Sequence, residues 1–505
     1  MSVLGSIVKM AVEVNQKLHF LERSPEDEQA QQLIDLLSMA QNTSFGKYYG
    51  FTDIIRADDP LKAFQKNIPI HNYKDMHFWW KQQQRFPDIT WPGKPEFFAL
   101  TSGTTGNKPK RTPVTKEFVD SMRDVASSVA RSLPNFDLPP EIFESRVLML
   151  SSSAKLKKHE DGHLEGEISG ININNFPGWY DLFYAPGFEI ANIDNWEERI
   201  ERIVEMAPEW NIGAIAGIPS WVLIMLKAIM KKYELEYIQD IWPDFQVYAS
   251  GGVAYETYRE DFQKLSNKEL IIIDTYLASE GFFAHTARPN TMAMRLALGH
   301  GYFYEFIPFD ERGVDERGNV LDNPEIHTIK DIEKDQEYVL VVTTTAGAWR
   351  YIIGDTIKFT ALHPHEIIIT GRIKFFLNVA GSQLSEEKMD LGIQHLSEKI
   401  GHPINEYMVA GVKNQEDEYI HQWVLVCENG FEEKEAAEIL DRKLSEINKN
   451  YGVARNKALK DIVVKRISKE MYNDYLESHK KKGGQAKIPK VMDQEQMKEL
   501  LAFIH

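Results

Sequence analysis

The sequence predicts an α/β protein: a large N-terminal domain built on mostly parallel sheets with a β-rich subdomain, and a small, mobile α+β domain at the C-terminus. Three observations predict it. Between residues 147 and 273 short apolar runs alternate with amphipathic helices. From about Tyr338 the pattern turns to closely spaced strands, and after Gly371 a helix–strand–strand–helix–strand order stands by itself. The 505 residues, 43% of them hydrophobic, suffice for about two to four domains with a large core, and 11% aromatics exclude general disorder.

In chain order, Val3, Leu4, Ile7, Val8, Ala11 and Val12 recur at helical spacing, with Lys9 and Glu13 between them. Residues 1–20 therefore read as an amphipathic helix rather than a secretion signal, whose centre would be uncharged. The remainder of the first hundred residues reads as helix and then irregular chain, ending in Phe86-Pro87-Asp88-Ile89-Thr90-Trp91-Pro92-Gly93. A polar, glycine-bearing loop over 101–110 precedes a helix marked by Phe118, Met122, Val125, Ala126, Val129 and Leu133. Strands are expected at 147–150, 213–217, 245–249 and 270–273, with helices at 196–207, 219–234 and 255–265 between them. Further strands are expected at 338–344, 349–353, 357–360 and 367–370. The terminal unit reads as helix 386–400, strands 407–412 and 422–427, helix 432–448 and strand 462–467. Residues 1–371 are thus assigned to the large domain and 372–505 to the small one, with a hinge over about 372–377.

Lys and Arg number 58 against 75 Asp and Glu, a net charge of −17. Such an acidic chain is not expected to bind nucleic acid or an anionic membrane through its general surface. Cys427 is the sole cysteine, which excludes a disulfide framework and a cysteine-based zinc site. No run reaches the ~20 apolar residues a bilayer crossing needs. The expected compartment is the cytoplasm; no oligomeric state is read from the sequence, and a monomer stands as the default.

Four constellations carry chemistry. Thr101-Ser102-Gly103-Thr104-Thr105-Gly106-Asn107-Lys108-Pro109-Lys110 combines glycines that let backbone amides converge on an anion, hydroxyl donors and two lysines suited to a polyphosphate. It lacks the Gly-Lys-Ser/Thr of the nucleoside-triphosphate P-loop, and the bland alternative is a polar surface turn. Tyr276-Leu277-Ala278-Ser279-Glu280-Gly281 follows an apolar strand, at the edge of a parallel sheet where ligands sit. There an aromatic can stack on a base and a carboxylate can hold Mg²⁺; an ordinary turn is the alternative. In Arg350-Tyr351-Ile352-Ile353-Gly354-Asp355, a carboxylate behind a glycine at a strand end can accept two ribose hydroxyls, or it can close a β-turn beside an arginine salt bridge. Gly371-Arg372-Ile373-Lys374, followed by Asn378-Val379-Ala380-Gly381, falls at the domain boundary and alone would be a linker. His159-Glu160-Asp161-Gly162-His163 matches the zinc-protease pattern H-E-x-x-H, which needs a helix to put both histidines on one face. Asp-Gly inside the motif and Lys155, Lys157 and Lys158 before it favour a turn, so no catalytic zinc is expected.

As an ordered set spanning nearly the whole chain, these motifs resemble the adenylate-forming superfamily of acyl-activating ligases. Within it the chain is most similar to the auxin-responsive acyl acid amido synthetases, the Gretchen Hagen family, and to their bacterial relatives. The phosphate loop that runs one residue longer to Lys110, Tyr304-Glu305-Phe306-Ile307-Pro308, Gly484-Gln485-Ala486-Lys487-Ile488-Pro489-Lys490 and Asn42-Thr43-Ser44-Phe45-Gly46-Lys47 carry that likeness. Ile352-Ile353 before Gly354, Leu277, and Lys490 in place of an arginine depart from the family pattern.

The resemblance implies a two-step ligase with ATP and Mg²⁺. A carboxylic acid attacks the α-phosphate to give an acyl-adenylate and pyrophosphate, and an amine, an amino acid for this family, then takes the acyl group and releases AMP. It implies that Thr101, Ser102, Gly103, Thr104, Thr105, Gly106 and Lys110 hold the β- and γ-phosphates. By the same likeness Glu280 holds Mg²⁺ with Ser279 near the α-phosphate, and Tyr276, Ser250, Gly251, Gly252 and Val253 frame the adenine. Asp355 and Arg372 would bind the ribose, and Lys487 would enter from the small domain during adenylation. The helix bearing Arg123 and the segment Gly217-Ile218-Pro219-Ser220-Trp221 are candidates for the acyl pocket, although for Arg123 a solvated helix face is the plainer reading. An acyl-CoA ligase of the same superfamily, a non-catalytic nucleotide-binding relative and a zinc hydrolase are the rival readings.

Overall fold

The structure is a computed structural model that describes residues 3–18, 24–101, 110–151, 153–176, 178, 183–252, 255–315, 318–373, 377, 382, 384–414, 416, 418–448, 451–452, 454–455, 459–478 and 488–504. Strands β1 (Phe97–Thr101) and β2 (Lys110–Val114) form an antiparallel pair whose connection, 102–109, is the expected phosphate loop and lies outside the described residues. After β3 (Arg146–Leu150), the short strands β4 (Lys157–Lys158) and β5 (Leu164–Gly166) return to that pair, β5 lying parallel to β1. Next, β6 (Tyr184–Ala185), β7 (Ile212–Gly217), β8 (Val247–Gly251) and β9 (Ile271–Ala278) join β3 in a parallel array ordered β9-β8-β7-β3-β6.

The expected β-rich part is present and shares a sheet with the parallel strands. β10 (Gly281–His285), β11 (Met294–Leu296), β12 (Tyr302–Pro308), β13 (Glu337–Thr344), β14 (Ala348–Leu362) and β15 (His365–Arg372) continue the same sheet antiparallel from β9, giving eleven strands. The two expected strands at 349–353 and 357–360 are one strand of 15 residues. Its ladder to β13 shifts register across 353–355, where Gly354 takes φ +98°. This bulge bends the strand without ending it.

Local signals place the helices. In the helix Lys116–Ser132, Thr115 Oγ1 accepts from Phe118 N at 3.0 Å, and Phe118, Val119, Met122 and Val125 face the core. The helix Trp196–Met206 is capped by Asn195 and leads by one short turn, Ala207–Glu209, into β7; the helix Pro219–Tyr233 leaves β7 at once. Both therefore have their N-terminal turns at the carboxyl edge of the parallel strands. One core gathers around Phe283, Tyr302, Tyr304 and Trp349, and a second around Ile215, Val222, Met225 and Tyr248.

Beyond residue 386, β16 (Glu406–Lys413), β17 (Tyr419–Val426) and β18 (Leu459–Ile467) make a separate sheet, with helices Glu386–Ile400 and Glu433–Ile447 packed on it. Its cores contain Met389, Leu396, Trp423 and Leu440 on one face and Met408, Val424 and Leu500 on the other. Among the described residues no helix is long and apolar enough to cross a membrane.

Candidate nucleotide and carboxylate site

The ends of β8, β9 and β15 and the middle of β14 converge at the carboxyl edge of the parallel strands. β9 runs five residues past the end expected from sequence, because it pairs with β10 through a tight turn at Ser279-Glu280. Tyr276 and Leu277 are therefore strand residues, and only Ser279 and Glu280 form the turn. Tyr276 is 4% exposed and donates its hydroxyl to Asp355 Oδ2 at 2.7 Å. Asp355 lies on β14 just after the bulge, inside the strand rather than at its end, and its Oδ1 accepts from Arg372 Nε at 2.6 Å. Arg372 ends β15 directly opposite, after Gly371, whose Cβ would come 2.6 Å from Cβ of Glu386. At the neighbouring strand end, Ser250 and Gly251 close β8; a Cβ on Gly251 would meet Thr275 Oγ1 at 2.8 Å, and Gly252 takes φ +83°. The backbone there has room only for glycine.

Glu280 is buried at the end of β9. Burial and then the charge of Asp355 push its carboxyl up to about 7, while Lys110 and Arg372 act the other way. Lys110, the first residue of β2, holds its ammonium 4.9 Å from the centre of the Tyr73 ring. A buried carboxylate short of positive charge is the donor chemistry a hard divalent cation completes, so the residues fit Mg²⁺. Asp274, two residues before Tyr276, is likewise pushed up to about 7 by burial.

Two supporting contacts are not legible as motifs. Arg111 donates from Nε and Nη2 to the two oxygens of Glu165 at 2.5 and 3.1 Å, and its backbone N donates to the Tyr73 hydroxyl at 3.0 Å. This fixes the start of β2 beside Lys110. On the route into β14, Arg350 (φ +44°) and Glu305 form a buried ion pair with N–O distances of 2.8 and 2.9 Å.

His159–His163 is a turn, not a helix: His159 N donates to His163 O at 2.8 Å and Gly162 N to His159 O at 2.9 Å. His159, His163 and Glu165 bring potential ligand atoms within 4.8 Å of one another. Yet the two imidazoles are stacked, 4.6 Å between centroids and 16° between planes, and both Glu165 oxygens already accept from Arg111. A metal lies in the plane of each imidazole that binds it, and stacked rings do not share such a point.

Arg123 pairs with Asp120 at 3.0 Å and also donates to the backbone carbonyl of Asn175, on an exposed helix face. Trp221 starts the helix after β7 and packs 4.9 Å from Trp196. The structure thus brings Lys110, Tyr276, Glu280, Asp355 and Arg372 together and sets Ser250 and Gly251 on the adjacent strand. Residues 102–106, Val253, Lys374 and Lys487 lie outside the described residues, as does the side chain of Thr101.

Three family models match the chain: GH3 family N-terminal domain at 14–192, central domain at 296–372 and C-terminal domain at 387–496. Curated relatives include the indole-3-acetic acid-amido synthetase GH3.2 of Arabidopsis thaliana, 24% identical over 201 residues, 37% of this chain and 36% of the relative. Another is the jasmonoyl–L-amino acid synthetase JAR6 of Nicotiana attenuata, 20% identical over 416 residues, 68% of this chain and 69% of the relative. The chain spans about a third of the length of the first of these. Among solved structures, the AtGH3.15 acyl acid amido synthetase in complex with 2,4-DB matches with a TM-score of 0.76 at 16% identity, over 98% of this chain and 96% of that one. A 2-hydroxyisobutyryl-CoA ligase in its postadenylation state, in complex with 2-HIB-AMP, matches at 0.56 and 12% identity over 94% and 91%. At these identities the structures carry the fold alone.

Proposed function

The chain belongs to the GH3 family, and on that premise we propose that it is an ATP-dependent acyl acid amido synthetase. It adenylates a carboxylic acid with release of pyrophosphate and passes the acyl group to an amine, an amino acid, with release of AMP. The observation that carries this reading is the cluster Tyr276–Asp355–Arg372 with Glu280 beside it and Lys110 facing it. Asp355 has lone pairs left for ribose hydroxyls after Tyr276 and Arg372 are satisfied. The Tyr276 ring flanks the base, with Ser250, Gly251, Gly252 and Val253 closing that side. Lys110 and the loop 101–106 neutralise the β- and γ-phosphates, and Ser279 meets the α-phosphate. Glu280 is the residue that would hold Mg²⁺, which when bound neutralises charge on the phosphate oxygens. Adenylyl transfer needs positioning and charge neutralisation more than covalent help, and this residue set supplies groups of both kinds.

The small domain, 372–505, turns about residues 372–377, with Lys374 as pivot, so that Lys487 serves the first half-reaction and leaves for the second. The chain works in the cytoplasm. The deciding experiment is ATP–pyrophosphate exchange against a panel of carboxylic acids, followed by competition between amino acids and coenzyme A on any acid that exchanges. Amide product supports the reading, thioester product assigns an acyl-CoA ligase, and nucleotide binding without exchange assigns a regulator.

A further inference from the structure

Glu337 and Lys358 stand directly opposite each other in the ladder between β13 and β14. Residues so placed leave the sheet on one face with Cβ atoms about 4.5–5.5 Å apart, and opposite charges there normally pair. These two do not. Lys358 Nζ donates instead to Glu387 Oε1 at 2.5 Å, in the first turn of the helix Glu386–Ile400. That pair is well shielded, with side chains 20% and 24% exposed. Glu337 Oε1 is left buried with no hydrogen-bond partner among the described residues. Burial and then the charge of Glu387 push the Glu337 carboxyl up, while Thr370, Lys388 and Lys358 act the other way. An acceptor buried without a donor is costly, and such groups are normally satisfied.

The two carboxylates lie on opposite sides of the proposed pivot at 372–377. Glu337 is fixed in the eleven-stranded sheet as the first residue of β13. Glu387 belongs to a helix that buries Met389, Ile393 and Leu396 in the core of the small domain. The start of that helix rests on the sheet at Gly371, where a Cβ would come 2.6 Å from Cβ of Glu386. A turn of the small domain therefore carries Glu387 off Lys358 and leaves the ammonium beside Glu337. Lysine is a compact charge on a flexible stem, so it changes partner by rotamer alone. One cation between two carboxylates, one on each side of a hinge, has two discrete arrangements.

We infer that Lys358 exchanges partners as the small domain turns, pairing with Glu387 in the orientation of this structure and with Glu337 in the other. The two carboxylates compete for one ammonium, so Glu387 holds this orientation and Glu337 opposes it. This rests on the domain rotation proposed above and makes Lys358 a positioning residue for the small domain.

The test reads domain orientation without turnover. Cys427 is buried, so nitroxide labels go to cysteines introduced at exposed positions, Glu198→Cys in the large domain and Lys434→Cys in the small one. Double electron–electron resonance on the full chain, with and without MgATP, gives the ratio of the two populations. Glu387→Gln and Lys358→Met should each lower the population with the distance of this structure by roughly fivefold, and Lys358→Arg should largely restore it. Glu337→Gln should raise that population by a similar factor, because it deletes the competing partner. In the Lys358→Met background Glu337→Gln should change nothing. A shift that persists there is plain repulsion between Glu337 and Glu387 and overturns the exchange. Shifts of the same sign for Glu337→Gln and Glu387→Gln, or a distribution that no variant moves, overturn it as well. Urea unfolding confirms that each variant folds. Pyrophosphate exchange run in parallel separates the two claims. Exchange with one immovable distance removes the partner switch and keeps the ligase reading. Populations that respond as stated in a chain without exchange remove the ligase reading and leave Lys358 standing.

Discussion

The hydroxyl of Tyr276 and the carboxylate of Asp355, 79 residues apart, meet at 2.7 Å. The contact ties the end of a parallel strand to a bulge in an antiparallel one, and Arg372 closes it from a third strand at 2.6 Å. Removing Asp355 therefore does two things: it deletes the proposed ribose acceptor and leaves Arg372 and Tyr276 without their shared partner. A ligand at about 100 times its dissociation constant stabilises by about 2.7 kcal/mol. Millimolar MgATP is expected to raise the wild-type melting temperature and to leave Asp355→Ala unmoved. Tyr276→Phe, which keeps the ring and loses only the hydroxyl, is expected to retain a reduced shift. An undiminished shift in Asp355→Ala would remove the ribose role.

Glu280 gives a pH prediction. Its folded pKa, about 7, lies above its ordinary value of 4.5. The folded state thus holds this proton more tightly than the unfolded state. The contribution is fully present below pH ~4.5 and is lost as pH rises through about 7, on the order of 3 kcal/mol in all. Glu280→Gln should cancel that slope, and the difference between wild type and variant removes the opposite, acid-side contributions of His285 and His421. Mg²⁺ should compete with the same proton, so MgATP should bind wild type several-fold more weakly at pH 6 than at pH 8. Denaturant titrations at both pH values check the first statement and calorimetry the second.

The regular elements were legible in the sequence where one period dominates, as in the helix around Phe118, Met122 and Val125. Illegible parts depend on pairing between distant segments. β9 runs to Ala278 because β10 pairs with it, although Ser279-Glu280-Gly281 reads locally as a loop. Gly354 looked like the end of a strand and is a bulge inside one. The proposed site was legible through its motifs, but not its supports. Nothing beside Arg111 announces Glu165, 54 residues on.

The ion pair of Arg350 and Glu305 is expected to be a folding requirement for β14. Arg350 also donates to the carbonyls of Gln65 and Ile68, at 2.9 and 2.6 Å, so it joins the N-terminal helices to the sheet. Glu305→Ala strands a buried guanidinium and should cost about 3–5 kcal/mol. The double variant Glu305→Leu/Arg350→Met should recover part of that loss, read as a coupling energy in urea unfolding. Additive losses would mean that the two side chains act independently.

The Arg111–Glu165 contact should act on the nucleotide through Lys110. Glu165→Gln weakens both charged hydrogen bonds and should raise KM for ATP in pyrophosphate exchange several-fold with little change in kcat. His163 donates from Nε2 to the same carboxylate at 2.9 Å. If His163 only supports Glu165, His163→Ala should show a weaker version of the same effect. Activity should also survive EDTA followed by excess Mg²⁺. Stoichiometric zinc lost together with activity in His163→Ala would give this cluster a metal role instead.

The last prediction concerns Lys487, which lies outside the described residues. Three residues later Lys490 is well placed: its Nζ reaches Glu386 Oε1 and Asp390 Oδ1, each at 2.9 Å, on the first turns of the helix that opens the small domain. Its carbonyl accepts from Val409 N at 2.7 Å, and Met492 N donates to Val409 O at 2.8 Å, which sews this segment along β16. Lys490 is therefore tethered to the small domain, and the proposal has Lys487 act from that domain as it rotates about 372–377. A lysine suits such a role, being a compact charge on a long stem that can meet negative charge as it develops on the carboxylate and α-phosphate. Lys487→Ala should lower pyrophosphate exchange by orders of magnitude, while amide formation from a supplied acyl-adenylate stays near wild type. Lys490→Met should loosen the tether and lower exchange less, by roughly tenfold, again sparing the second step. Equal losses in both half-reactions would make Lys487 structural, and an unchanged exchange rate would place it outside the site.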